Sequence, residues 1–420
     1  MKLRALIVVV AAAALLAPAS HATTLPPGNA AQQWDKIAED TAVGSGAFQG
    51  EAFVYLAYVS SAMDGAVNPG ERNGQSQDAA VAQAAYDVLV HYFPSQSTNL
   101  TALHDASLAT VPDGAAKRNG IQFGDLAADK VLRDRANDGL MTPIATTSPF
   151  PTLPPGPGVY RLTPPAYAAP QTPWMVTMTP FVLQSSHQFL PPPPPSLQSQ
   201  TWVEDFNEVE SKGASNSTTR TAEQTATARF WAANVNRQYE GLARSIATRM
   251  NLDVPESARW FAMANEVLAD AALTFMNAKY HYLFWRPVTA IDPMSVTNDG
   301  FGTMPGPDDG NPLTAEQTNW RPLLTTPNHP EYPSAHSTVS AALAEVVSRF
   351  MGTDQINVTI LGNTGFDASR TFATASDWFG DVADGRVFAG LHYRFSTTAG
   401  IALGKQVADY DLAHAFSNGH

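Results

Sequence analysis

Apolar residues recur at helical spacing along most of the chain, and this pattern predicts a mostly helical protein. In residues 30–140, helical runs such as AFVYLAYVSSAMDGAV and AAVAQAAYDVLVHYF are separated by turns rich in Gly, Asn, Pro and Asp. Two long helices are predicted at 219–250 and 255–286, and another begins near Ser334. No run of strand-type alternation competes, so the predicted fold class is all-α, a helical bundle.

A proline-dense segment interrupts this pattern between residues 142 and 200, where TPIATTSPFPTLPPGPGVY and LPPPPPSL occur. Proline at this density excludes helix and central strand and favours an extended or polyproline II conformation. One interpretation is a flexible linker. The interleaved Phe, Tyr, Trp and Leu residues favour a long ordered loop that wraps over the helical core. The predicted organisation is a signal peptide (1–22), an N-terminal helical region (23–141), the Pro-rich segment (142–200) and a catalytic core (201–420), with 23–420 forming one compact unit.

The first 22 residues have the features of a secretory signal peptide. Lys2 and Arg4 precede an apolar stretch and the small-residue patterns A-P-A and S-H-A. Cleavage after Ala22 would remove two positive charges and change the net charge from -13 to -15. No later segment approaches the roughly 18 apolar residues of a membrane helix. We therefore expect a secreted or periplasmic protein with no membrane span after cleavage.

Composition narrows the classes of partner and of chemistry. The chain has 420 residues, 44% of them hydrophobic and 15% charged, which is typical of a globular protein. Its acidic balance, with a pI near 5.1, argues against nucleic acid or an anionic membrane as the main partner. The absence of cysteine excludes disulfides, thiolate nucleophiles and Cys-zinc sites. Any local cluster of cations is therefore notable.

The first chemistry-bearing stretch is KYHYLFWRP, residues 279–287. Arg286 stands seven positions after Lys279, nearly two helical turns, so both are predicted to lie on one helical face, where they could bind an anion between them. The intervening aromatic residues would supply a dry wall that strengthens charge interactions. The alternative is a basic stripe whose side chains reach solvent past an aromatic core.

Two further stretches carry unusual polar groups, PSAHS (333–337) and RVFAGLH (386–392). Ser334 is suited to cap a helix whose first-turn N–H groups attract anions, and His336 would stand in that turn as a proton donor. Gly390 would leave room beside Arg386 for a guanidinium or a ligand. The six-residue offset between Arg386 and His392 requires the helix to end or bend near His392. The alternatives are a surface His after an N-cap, and a core His near a surface Arg.

Together the motifs K-x6-R-P, P-S-x-H and R-x3-G-x-H resemble the signature of the superfamily of vanadium-dependent haloperoxidases and type 2 phosphatidic acid phosphatases. The resemblance spans roughly residues 255–400, and FWRPVTAI and HPEYPSAHS are more similar to the secreted bacterial haloperoxidase branch. The Pro-rich segment and TRTAEQTATARFW extend it upstream to about residue 150. The resemblance implies the helical bundle of this superfamily.

The resemblance also implies roles for individual residues. The implied contacts to the oxygens of vanadate or phosphate are Lys279, Arg286, Arg386, Ser334 and the N–H of Ala335. His392 would be the axial ligand to vanadium, or the nucleophile of a phosphatase, and His336 would be the acid–base group. His329 and Trp285 would tune the substrate. The histidine at 329 resembles bromoperoxidases rather than chloroperoxidases, although a loop histidine without a catalytic part is an alternative. The implied cofactor is vanadate, with phosphate competing for its site, and neither haem nor nucleotide is expected.

The sequence departs from the family pattern at two positions. Ala335 replaces the usual glycine, which adds a methyl group and limits backbone φ. Ser396 stands where the family often has an acid four residues after the metal-binding histidine, so the orientation of His392 is less firmly set. Asp384, or an acid from another helix, could substitute.

Three functions follow from these observations. The first is a vanadate-dependent haloperoxidase that uses hydrogen peroxide to oxidise halide, with bromide or iodide favoured, to a hypohalous species. The second is an exported acid phosphatase that hydrolyses phosphomonoesters through a phosphohistidine in the same site. The third is a non-catalytic oxyanion-binding protein. A homo-oligomer is also possible by the same resemblance.

Overall fold

The computed structural model describes residues 24–67, 74–142, 153–299, 308–362 and 368–416. The predicted signal peptide and residues 143–152 of the Pro-rich segment lie outside the described residues. Within these ranges the chain is mostly helical, which confirms the all-α prediction. None of the described helices is long and apolar enough to cross a membrane.

Thirteen α-helices and one β-hairpin occur in the described ranges. The helices are α1 (Ala30–Gly44), α2 (Gln49–Ala66), α3 (Gln77–Tyr92), α4 (Ser97–Ala109), α5 (Ala115–Arg135), α6 (Gln200–Gly213), α7 (Ala222–Phe230), α8 (Val235–Arg249), α9 (Val254–Tyr282), α10 (Pro287–Ile291), α11 (Ala335–Met351), α12 (Ala375–Phe388) and α13 (Arg394–His414). The antiparallel strands are β1 (Val358–Leu361) and β2 (Ser369–Phe372).

Helix α9 is the centre of the bundle. It begins at an Asp253 capping box, with Pro255 in its first turn, and most of its 29 residues are buried. On one side it packs against α2, which connects it to α1, α3 and α5, and on the other against α11 and α13. One hydrophobic cluster includes residues of α1, α2, α3, α8, α9, α11 and α13. The N-terminal helices and the motif-bearing helices therefore share a core.

Residues 153–199 form an ordered loop with one 3-10 helix, Pro173–Thr177, rather than a free linker. The Tyr160 N–H donates to the Leu283 carbonyl at 2.7 Å, and the Trp285 N–H donates to the Gly158 carbonyl at 3.0 Å. A buried ion pair joins Arg161 to Asp299. Backbone N–H groups further along this loop donate to the buried carboxylate of Asp270 on α9. The loop therefore packs over the bundle, as its aromatic content predicts.

Three features of the secondary structure differ from the predictions. The helix predicted over 219–250 is two helices, α7 and α8, because Asn234 caps a new helix by accepting a hydrogen bond from the Arg237 N–H. The hairpin β1–β2 was not predicted, since four-residue strands are too short to show a clear alternation.

The helix predicted over 255–286 is also too long, and this changes the geometry of the first motif. Helix α9 ends at Tyr282 because Leu283 adopts a left-handed conformation, φ 47°. Arg286 is extended before Pro287, φ -79° and ψ 154°, as a residue preceding proline should be. Lys279 and Arg286 therefore do not share a helical face, and the spacing argument for their convergence was wrong.

We expect Asp270→Ala to detach the Pro-rich loop. The carboxylate accepts from the N–H groups of Phe181, Val182 and Leu183 at 2.6, 2.8 and 2.9 Å, and its loss leaves one buried and two partly buried donors without this acceptor. Each charge-assisted bond contributes about 1.5–3 kcal/mol, so unfolding in urea should begin at clearly lower concentration. Limited proteolysis should cleave within 153–199. The exposed Asp113→Ala is the control, and equal behaviour of the two variants would contradict the expectation.

Candidate active site

The three motifs meet around one cavity between the bundle and the loop that precedes α11. The cavity has a volume of about 310 Å³. Its lining includes Arg386 and His392 from the third motif and Ala335 and His336 from the second, together with His329. Lys279, Arg286 and Ser334 are fully buried behind this wall. All the implied oxyanion contacts therefore lie in or directly behind one site.

The N-terminal helices complete the cavity. Phe48, Gln49, Gly50 and Phe53, at the start of α2, line it together with the motif residues. The side-chain oxygen of Gln49 accepts from the Val235 N–H at 2.8 Å, which fixes this wall to α8. The site therefore depends on residues well outside the three motifs.

Lys279 anchors the loop between α10 and α11. Its ammonium group donates to the carbonyls of Pro330, Glu331 and Pro333 at 3.0, 2.8 and 2.6 Å. These bonds use all three donors of the ammonium group. Direct contact with a bound oxyanion would require Lys279 to exchange one of them.

Arg286 connects two histidines behind the cavity wall. Its Nε donates to the His329 carbonyl at 3.0 Å, and its Nη2 contacts His329 Nδ1 at 3.0 Å. Nη1 donates to the Leu391 carbonyl at 2.9 Å and contacts His392 Nε2 at 3.4 Å. A guanidinium only donates, so both ring nitrogens that face it are acceptors.

Arg386 has the fewest partners of the three cations. Its Nη1 donates to the Trp231 carbonyl at 2.8 Å, while its buried Nε has no hydrogen-bond partner in the described structure. The sequence predicted that Gly390 leaves room beside Arg386, and this prediction was wrong. A Cβ at Gly390 would lie 2.6 Å from the Gly213 carbonyl oxygen, and φ is 78°. This glycine instead permits a turn and a close approach to the end of α6.

Burial destabilises the charged forms of all three cations, and Arg286 further destabilises those of the other two. Burial and the neighbouring Arg286 lower the pKa of Arg386 to about 9. Burial also lowers the pKa of Arg286 to about 10, and burial together with Arg286 holds the pKa of Lys279 well below its usual range. In the described part of the chain, Glu331 is the one carboxylate whose charge raises the pKa of Lys279 and Arg286. The site therefore has an excess of positive charge that a bound anion would neutralise.

Helix α11 presents its N-terminus to the cavity. Ser334 is the N-cap and accepts from the Ser337 N–H, so the helix begins where the sequence predicts. Ala335 is the first helical residue, and its φ is not positive. A glycine is therefore not required there by the backbone, and the departure at Ala335 introduces no strain of this kind.

The three histidines are held in their neutral forms. Burial and nearby cations lower the pKa of His336, His329 and His392 well below the usual value. His336 lines the cavity from the first turn of α11. The ring of His329 meets that of Phe48 edge to face, with centroids 5.7 Å apart. His392 lies between α12 and α13, so the helix does end before it, as its offset from Arg386 required.

Glu331 is the residue that the sequence did not identify. Its Oε1 lies 2.7 Å from His392 Nδ1, and both side chains are buried. Since His392 Nε2 accepts from Arg286, the ring proton of neutral His392 is on Nδ1 and is donated to Glu331. The available signal was an acid placed between two candidate histidines, in HPEYPSAH.

Two other expectations are corrected or refined. Asp384 does not substitute for the missing acid, since its carboxylate pairs with Arg394 at 2.5 Å. Trp285 stacks on Trp202 with ring centroids 6.0 Å apart, in the aromatic cluster behind the site, and it is not among the residues that line the cavity.

Comparison with known proteins identifies the second half of the chain. Residues 259–418 match the family model described as the VCPO second helical-bundle domain. Vanadium chloroperoxidase from Curvularia inaequalis is 29% identical over 197 residues, which cover 40% of this chain and 30% of that protein. The chain thus spans less than a third of the length of this relative. All three motifs lie in or beside the matched region, and the predicted resemblance to vanadium haloperoxidases is confirmed.

Solved structures extend the similarity to most of the chain. A structure described as the first bacterial vanadium-dependent iodoperoxidase has a TM-score of 0.73 at 20% identity, and the match covers 93% of this chain and 98% of that one. The holo form of a bacterial vanadium-dependent chloroperoxidase has a TM-score of 0.67 at 17% identity, over 92% of this chain and 97% of that one. The fold is therefore that of the bacterial vanadium haloperoxidases.

We expect Arg386→Met to separate stability from anion binding. The change removes a buried cation that repels Arg286, at the cost of about 1 kcal/mol for its bond to Trp231. The ligand-free protein should melt at a higher temperature, whereas its affinity for inorganic phosphate should fall by about 10–100-fold. Calorimetry measures both quantities. The control is Arg349→Met, at an exposed ion pair, which should alter neither quantity. Unchanged phosphate affinity in Arg386→Met would refute the assignment of Arg386 to anion binding.

Proposed function

We propose that this protein is a vanadate-dependent haloperoxidase that oxidises halide with hydrogen peroxide. One observation carries the proposal. Three buried cations, Lys279, Arg286 and Arg386, outnumber the one nearby carboxylate, that of Glu331, and the neutral His392 turns its Nε2 toward one of them, Arg286. This arrangement fits an oxyanion that also accepts a nitrogen ligand. Vanadate meets both conditions because it is an anion that readily takes a fifth ligand.

The residues that would hold vanadate are the cations and the histidine of this site. Arg286 and Arg386 would neutralise its oxygens, with Lys279 contributing charge from behind the loop and the α11 N-terminus contributing N–H groups. His392 Nε2 would be the ligand to vanadium. Bound vanadate would supply the Lewis-acid centre at which hydrogen peroxide becomes able to oxidise a halide.

His336 is the proposed proton acceptor. Burial and Arg386 lower its pKa well below the usual value, so its ring is neutral at neutral pH and can take a proton from incoming hydrogen peroxide. The same ring can return that proton when the oxidised halide is released as a hypohalous acid. Its place in the cavity wall supports this role.

His329 and Phe48 are the proposed halide side of the cavity. They lie edge to face on the wall, and Arg286 holds the His329 ring from behind. An aromatic edge and an imidazole N–H are both attractive to a large, weakly hydrated anion. This supports bromide or iodide over chloride. Trp285, which lies behind the wall, would act on the substrate indirectly through packing.

A phosphatase is the second candidate, because the same neutral His392 Nε2 could attack phosphorus in a phosphoester. The three buried cations could serve either reaction. A protein that binds an oxyanion without turnover would also need such cations. We further propose export through the N-terminal segment with cleavage after Ala22, which rests on the sequence of that segment. A homo-oligomer remains a prediction from the resemblance.

We expect the purified protein, reconstituted with vanadate, to brominate or iodinate a phenol dye when both peroxide and halide are present. Omission of vanadate should abolish this reaction, and aryl phosphate should not be hydrolysed. Hydrolysis without vanadate, inhibited by added vanadate, would identify a phosphatase instead. Oxyanion binding with neither reaction would support the non-catalytic alternative.

We expect His336→Ala to lower the halogenation turnover by about 10²–10⁴-fold, because it removes the proposed proton acceptor. Vanadate affinity, measured by equilibrium dialysis, should change little, since Arg286, Arg386 and His392 remain. The matched control is His104→Ala, a histidine of α4 that hydrogen-bonds Gln83 and does not line the cavity. Equal turnover in His336→Ala and the wild type would exclude this role.

A further inference from the structure

We propose that Glu331 is the positioning residue of the site: its carboxylate fixes the ring of His392 so that Nε2, and not Nδ1, faces the oxyanion. The proposal rests on the proposed function where it concerns vanadate. Its structural part, the orientation of His392, can be tested in the ligand-free protein.

The first support is the contact itself. Glu331 Oε1 is 2.7 Å from His392 Nδ1 and also accepts from the Tyr393 N–H at 3.2 Å. Both side chains are almost fully buried. One carboxylate oxygen therefore accepts hydrogen bonds from both the imidazole and the adjacent backbone, which fixes the position and the tilt of the ring.

The second support is that Glu331 is itself immobilised from two sides. Its N–H donates to the Phe284 carbonyl at 2.9 Å, just beyond the end of α9. Its carbonyl accepts from Lys279 at 2.8 Å. A carboxylate on a backbone held in this way can transmit rigidity to His392, whereas one on a free loop could not.

The third support is the place of Ser396. The Ser396 hydroxyl is placed to hydrogen-bond the Glu331 carboxylate, which favours the charged form of that carboxylate, and the Ser396 carbonyl accepts from the Ser334 N–H at 3.1 Å. A carboxylate at 396 would face the Glu331 carboxylate and repel it, whereas the serine hydroxyl can donate to it. The small serine is therefore compatible with Glu331 in this role. Asp384, the acid suggested by sequence, is engaged with Arg394.

Charge distinguishes this role from a merely structural one. Glu331→Gln keeps the size of the side chain and removes one negative charge from beside the three cations. The electrostatic attraction of the three cations for any anion should then be unchanged or stronger. Coordination by His392 should be weaker, because the amide is a poorer partner for Nδ1–H and can also flip to present its NH₂ group. The two effects have opposite signs.

The experiment measures the affinities of inorganic phosphate and of vanadate for wild type and Glu331→Gln by equilibrium dialysis. Phosphate, which stays four-coordinate, should bind as tightly or more tightly, while vanadate affinity should fall by about 10–100-fold. Asp384→Asn is the matched control and should alter neither. A parallel loss of both anions would mean a structural role, and no change in either would mean no role. Both results overturn the proposal.

A second measurement separates this proposal from the proposed function. Nitrogen NMR of the ligand-free protein should show the His392 proton on Nδ1 in the wild type and a mixture of tautomers in Glu331→Ala. A wild-type proton on Nε2 would overturn the proposal even if halogenation is observed. A proton on Nδ1 in a protein without halogenation would support the orientation while the proposed function fails. The variant Glu331→Gln with Ser396→Asp should recover part of the vanadate affinity.

Discussion

The structure depends on the burial of like charges in one place. Lys279, Arg286 and Arg386 are desolvated, Arg286 lowers the pKa of the other two, and such a group is unfavourable in a folded protein without an anion. Backbone carbonyls solvate the cations in place of water. They belong to the Pro330–Pro333 stretch, His329, Leu391 and Trp231. The loop before α11 and the ends of α9 and α12 are therefore shaped around these charges. A site of this kind is stable because the surrounding bundle is large and well packed.

The sequence allowed the motif residues to be identified but not the way in which they converge. Lys279 and Arg286 were expected on one helical face, and the prediction of a shared site was right for a wrong geometric reason. A left-handed Leu283 and the constraint before Pro287 end the helix between them. Helical periodicity could not reveal this, because the apolar pattern of YHYLFW continues through the break. The start of α11 was predictable, since its N-cap is a local feature with a local signal.

Residues that act through long-range contacts were beyond local reasoning. Glu331 is 61 positions from His392, and no spacing rule connects a loop acid to a histidine between two helices. Phe48 is further still, and its presence in the cavity gives the N-terminal helices a role that their own sequence does not reveal. Conversely, the concern about Ala335 came from the side chain alone and disappears once its backbone is known to be helical. Tertiary contacts and backbone conformation decided each of these cases.

The stretch PNHPEYPSAHS combines functions that a cation site would otherwise take from several elements. Its carbonyls solvate Lys279, its acid orients His392, its serine starts the helix that directs N–H groups at the cavity, and its two histidines face the same space. One ammonium group binds three of its carbonyls and so fixes their positions relative to one another. Lys279 then has two consequences, a positive charge for the oxyanion and a fixed position for the carboxylate that partly offsets that charge. The charge balance of the site and its geometry are therefore set by the same contact.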